Sequence, residues 1–139
     1  MKSKILKFPE KSPESEKITI NLGFVDLGNV DLLVQESFYS NRSDFIRTAI
    51  RNQLAAHSEQ AKKSIVRQTL ELGLRQYTKA DLETVVARGE KLNIKVLGLV
   101  TISNDVSPPL ALAAIEAITV LGALHASTEV KAALVDRIN

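Results

Sequence analysis

Residues 17–22 read Lys-Ile-Thr-Ile-Asn-Leu and alternate strictly. Ile18, Ile20 and Leu22 fall on one face, and Lys17, Thr19 and Asn21 on the other. This is the pattern of a strand with one face buried. A strand this short does not stand alone and needs a second strand to take its backbone hydrogen bonds. No matching strand follows within the next forty residues or so. The nearest available partner is the same strand in another copy of the chain. That predicts a two-stranded antiparallel ribbon across a dimer axis.

Gly23 and Phe24 then break the alternation, and from Asp26 the period becomes helical. Leu27, Val30, Leu33, Val34 and Phe38 are expected on one face, with Asp26 as the N-cap. Tyr39-Ser40 reads as a turn. Asn41 is a good N-cap for a second helix, and Asp44 three residues later makes a capping-box-like pair. This second helix places Phe45, Ile46, Ala49, Ile50 and Leu54 on its buried side and Arg42, Arg47 and Arg51 on or beside its exposed side.

The chain has 139 residues, enough for one ordinary domain or two small ones. Its formal charge is only +2, so any case for nucleic acid has to rest on local placement of charge rather than a bulk basic field. The absence of cysteine excludes a disulfide framework, thiolate metal sites and a cysteine nucleophile. No apolar run reaches the roughly 18 residues of a membrane span, and the N-terminal lysines precede no apolar core, so no signal peptide and no membrane role are expected. Nothing points outside the cytoplasm. Low aromatic content, 4% with no tryptophan, argues against stacking platforms for single strands or RNA.

Residues 1–15 mix lysine, glutamate, serine and proline and read as a flexible N-terminal arm. Residues 57–68 read as a linker or an extension of the second helix. Residues 69–139 contain a repeat. Leu72-Gly-Leu74, Leu97-Gly-Leu99 and Leu121-Gly-Ala123 recur at spacings of 25 and 24 residues. Each is followed by a Thr or Ser (Thr78, Ser103, Ser127) expected to cap a helix, with an acid in the first turn where the helix dipole favours it. Strand-like segments (94–96, 118–120) precede the Leu-Gly pairs. Helices are expected over 79–88, about 108–117 and 128–138. A strand-plus-helix unit at this period matches a short α/β solenoid. The alternative is a compact α/β domain in which Leu-Gly recurs by coincidence.

A two-stranded ribbon fits the major groove of B-DNA, about 12 Å wide. Lys17, Thr19 and Asn21 are the residue types that read base edges there. The same three side chains on a strand alone also suit an ordinary solvent-facing surface. Asn41, Arg42 and Ser43 lie at a helix start, where free amides and the dipole favour a phosphate. A phosphate held there would fix the ribbon's register in the groove. Taken singly, this start also reads as a plain capped helix with surface arginines.

The alternating strand, the amphipathic first helix, and Asn41-Arg42-Ser43-Asp44 leading into Ile46-Arg47-Thr48-Ala49-Ile50-Arg51 together resemble the ribbon-helix-helix family of CopG-, Arc- and MetJ-type DNA-binding proteins. The resemblance covers about residues 16–56. MetJ and Arc are β-ribbon readers of DNA. The resemblance implies an intertwined homodimer whose paired strands enter the major groove while the second helices hold the backbone. By position, Lys17, Thr19 and Asn21 take the base-reading role and Asn41, Arg42 and Ser43 the phosphate-binding role. The implied core is Ile18, Ile20, Leu22, Val30, Val34, Phe45, Ile46, Ala49 and Ile50. Gly23-Phe24-Val25 departs from the polar turn common after the strand.

The expected fold class is α+β: a ribbon-helix-helix dimer over 16–56 followed by an α/β domain over 69–139 for oligomerisation or partner binding. The expected function is sequence-specific regulation of transcription as a repressor. Its partner would be double-stranded DNA carrying an inverted-repeat operator, with higher assembly through the C-terminal half. An alternative is an antitoxin-type interaction protein whose C-terminal half binds a partner protein, with DNA binding serving autoregulation. No cofactor, metal or catalytic residue is expected. His57 and His125 are isolated, and no constellation of nucleophile, base and stabiliser is present.

Overall fold

In the computed structural model, the structure describes residues 15–139. The expected arm, all but Ser15, lies outside the described residues. The chain divides into two compact units with the boundary between Ala56 and His57.

The first unit has two helices, α1 (Phe24–Gln35) and α2 (Arg42–Ala56). Helix α1 starts two residues before the expected Asp26. Gly23 is its N-cap and offers no side-chain cap, and Asp26 instead sits in the first turn, where its charge complements the helix dipole. The helix ends sooner than the apolar spacing suggested. Ser37 takes a left-handed conformation (φ 66°). The Ser37 amide donates to the Val34 carbonyl and the Phe38 amide to the Leu33 carbonyl, both at 3.0 Å, which closes the helix in a Schellman motif. Phe38 is therefore off the helix face to which its spacing assigned it, and 71% exposed. Tyr39 packs edge-on against Phe45, with ring centroids 5.0 Å apart.

The second unit contains α3 (Ser58–Gln68), β1 (Glu71–Tyr77), α4 (Lys79–Ala87), β2 (Leu92–Ile102), α5 (Pro108–Ala114), β3 (Ile115–His125), α6 (Thr128–Ala133) and a short 3₁₀ turn (Val135–Arg137). Residues 58–68 form a helix of their own, separated from α2 by a non-helical His57. The three strands are parallel in the order β1-β2-β3. Leu72, Leu97 and Leu121 lie side by side, as do Gly73, Gly98 and Gly122. The Leu-Gly recurrence is thus a row across the sheet. Alternate residues Ile94, Val96, Val100 and Ile102 of β2 join Leu82 of α4, Ala111 and Ala114 of α5, Ile115 and Ile118 of β3, and Val130 of α6 in one buried core.

The glycines of this row are obligatory at two positions. An ideal Cβ on Gly98 would lie 2.1 Å from the Gly73 carbonyl oxygen, and one on Gly122 would lie 2.0 Å from the Gly98 oxygen. Both also have φ in the positive range that favours glycine.

Helix caps follow the repeat with one exception. Thr78 and Asp81 form a reciprocal capping box, with the Asp81 amide donating to Thr78 Oγ1 and the Thr78 amide to Asp81 Oδ2. Ser127 caps α6. In the middle unit the cap is Ser107, not Ser103, because Pro108 and Pro109 set the first helical turn four residues later. Two further expectations are corrected. Helix α5 ends at Ala114 and passes directly into β3, whose Ile115 is fully buried in extended conformation. Helix α6 ends at Ala133, and Ile138 leaves the helical path to bridge Ile118 of β3.

Candidate nucleic-acid interface

Lys17, Thr19 and Asn21 are exposed, and so are the alternating apolar residues between them. Ile18, Ile20 and Leu22 are 74%, 58% and 41% exposed. In one copy of the chain, residues 17–22 pair with no strand among the described residues. Their backbone donors and acceptors are thus open to water or to another strand.

Ile20 and Leu22 line an open cleft of about 470 Å³ together with Val30 and Leu33 of α1 and Phe45 and Ile46 of α2. The lining is mostly apolar, and of this unit's side chains only Val30 is buried among the described residues. Of the core implied by the resemblance, Val34, Phe45 and Ile46 are half-buried, while Ala49 and Ile50 stay exposed. The polar residues of the segment alternate with those facing the cleft, so Lys17, Thr19 and Asn21 occupy the other side of any strand built here.

At the start of α2, Asn41 caps the helix through its side chain. The Asp44 amide donates to Asn41 Oδ1 at 2.8 Å, and the Ser40 amide donates to Asp44 Oδ2 at 2.9 Å. The reciprocal arrangement expected from Asn41 and Asp44 is present, shifted by one residue on the return bond. The amides of Arg42 and Ser43, together with the exposed Ser43 hydroxyl, have no acceptor or donor partner among the described residues. These are the groups a phosphate oxygen would meet.

Arg42 is committed elsewhere. Its guanidinium donates through Nε and a terminal nitrogen to both carboxylate oxygens of Asp31 on α1, at 2.7 and 2.8 Å. Those hydrogen bonds hold the Asp31 carboxyl below its ordinary range and push the Arg42 guanidinium up. Both side chains are about half exposed, so salt screens the pair. Asp31 was missed in the sequence. It stands eleven residues from Arg42, and only the packing of α1 against α2 brings them together. By contrast, Arg47 and Arg51 are exposed on α2 and form no ion pair among the described residues. They are the uncommitted cations of this helix.

Among the described residues no group of three His, Asp or Glu side chains is placed to hold a metal ion, and no helix is long and apolar enough to cross a membrane.

The profile of the ribbon-helix-helix transcriptional regulator family matches residues 13–131. The match runs well past the strand and two helices that carry the sequence motif, through the parallel sheet and into α6. No curated protein and no solved structure matches the chain.

Proposed function

Because the chain belongs to the ribbon-helix-helix transcriptional regulator family, we propose that it is a dimeric, sequence-specific DNA-binding repressor. In this reading residues 17–22 of two copies pair as an antiparallel ribbon that enters the major groove. Residues 16–56 form the DNA-binding domain, and 69–139 form a strand-helix domain that joins dimers. The observation that carries the reading is the exposed segment 17–22. Its backbone pairs with no strand among the described residues, Ile20 and Leu22 line an apolar cleft, and the alternate residues Lys17, Thr19 and Asn21 are exposed.

The roles follow from chemistry. Lys17 donates to guanine O6 and N7, Asn21 pairs with the adenine edge, and Thr19 meets a polar edge or a thymine methyl. The free amides of Arg42 and Ser43, with the Ser43 hydroxyl, hold a phosphate at the positive end of α2. Asn41 fixes that helix start rather than touching the phosphate itself. Arg42 reaches phosphate only by exchanging Asp31 for it.

Selection of bound fragments from random DNA by the purified protein tests this reading. The expected result is enrichment of a short inverted repeat. On that operator, Thr19→Ala or Asn21→Ala lowers discrimination by about 1–3 kcal/mol. Enrichment of no sequence, or unchanged discrimination in both variants, rules out ribbon reading.

A further inference from the structure

Among the described residues the outer edge of β1 and most of the outer edge of β3 pair with no strand, and the glycine row makes the two complementary. Gly73, Gly98 and Gly122 all have positive φ, at 121°, 143° and 124°. At Gly98 and Gly122 the space a side chain would enter is filled by the carbonyl oxygen of the preceding glycine. At Gly73 the same space holds nothing within 4 Å. Gly73 thus has the backbone conformation of the other two without the carbonyl that accompanies it.

The outer edge of β3 presents that carbonyl. The Gly73 and Gly98 oxygens each lie against the glycine of the next strand. Carbonyls two residues apart on a strand point the same way. Gly122 and Ile118 therefore both aim off the far side of β3. The Ile118 carbonyl is already used there, accepting from the Asn139 amide at 2.8 Å. Residues 138–139 cover only this start of the edge. From Val120 to His125 the outer side of β3 pairs with no strand among the described residues. That open stretch is the register equivalent of Glu71–Gln76, since Glu71 aligns with Val96 and Val96 with Val120.

We propose that β3 of one copy docks on β1 of a second copy, parallel and in this register. The Gly122 carbonyl of one copy seats against Gly73 of the other and accepts from the Leu74 amide. Leu72 and Leu74, 68% and 70% exposed at the free edge, then continue the rows formed by Leu97 with Leu121 and by Leu99 with Ala123. An uncovered apolar edge strand otherwise invites unspecific pairing. The contact is head-to-tail, so it chains copies rather than closing on two. This deepens the dimer-joining role proposed for residues 69–139 and rests on that reading, but its test needs no DNA.

The chain has no cysteine, so introduced thiols are the only ones. Leu72→Cys and Leu121→Cys are made separately in the full chain, mixed and oxidised. Facing positions on neighbouring strands lie roughly 5 Å apart, within disulfide reach. The mixture is expected to cross-link at least tenfold more than either variant alone. In sedimentation, the unsubstituted protein grows beyond the dimer with concentration. Leu74→Pro, which removes an edge amide and leaves the β1–β2 ladder intact, returns it to dimer. Leu74→Lys does the same by charge and serves if the proline variant loses its circular dichroism. Cross-linking of Leu72→Cys with itself as readily as in the mixture would mean two-fold edge pairing and overturn the proposal. So would a protein that stays dimeric throughout. Operator binding by such a dimer would leave the regulator reading intact.

Discussion

Val30 is the one buried apolar side chain among the described residues of the first unit, whereas twelve side chains form a continuous buried core in the second. Both units are rich in aliphatic residues, so composition does not explain the difference. The second unit buries β2 and β3 against its own helices, while β1 stays exposed along most of its length. The first unit has two helices and the unpaired segment 17–22, too few elements to enclose a core. Its apolar side chains are instead arranged around an open cleft. The C-terminal unit thus encloses a core of its own, while the N-terminal unit leaves its apolar cleft open. An open cleft of this kind suits the dimeric reading proposed for this ribbon-helix-helix regulator.

The largest effect is expected for Gly98→Ala. Its methyl would collide with the Gly73 carbonyl in a backbone conformation that resists a side chain. Together these cost roughly 2–6 kcal/mol, seen as loss of the second unit's thermal transition with the first unit's helices retained. Next is Ile46→Ala in the cleft. If a second copy covers this residue, the loss is about 2 kcal/mol, or roughly a thirtyfold weaker dimer. Sedimentation equilibrium reads it, and an unchanged dimer constant would mean that the cleft is not the interface.

Smaller effects concern the Arg42–Asp31 pair. Asp31→Asn releases Arg42 for phosphate. It is expected to tighten binding to all sequences alike and to steepen the salt dependence by about one counterion. Looser binding would mean that the pair positions α2 rather than competing with DNA. The smallest effect is on acid stability. The Asp31 carboxyl titrates below its ordinary range in the folded chain. Its contribution is therefore present above the unfolded value, about 3.9, and is lost as pH falls through the folded one. A slight drop in the first unit's melting temperature below about pH 4 is expected, and Asp31→Asn should abolish it.

Features set by a few neighbouring residues were legible in the sequence. Asn41 and Asp44 are three positions apart, so their cap could be read directly. The Leu-Gly row was legible because its period repeats. What it does was not, since the clash that demands glycine comes from a carbonyl on another strand. Ser103 matched the repeat, yet Ser107 caps α5 because the two prolines after it decide where the helix starts. Asp26 has the chemistry of a cap, but α1 begins at Phe24 and carries it into the first turn. The Asp31–Arg42 pair left no local mark, because it depends on the packing of one helix on another.

Pairing of residues 17–22 between two copies is what the dimeric reading stands on. An equal mixture of isotope-labelled and unlabelled chains, observed through interchain nuclear Overhauser effects, tests it directly. Interchain backbone contacts are expected between Ile18, Thr19 and Ile20 of one copy and the same segment of the other, in antiparallel register. A dimer that gives interchain contacts elsewhere and none within 17–22 would contradict it.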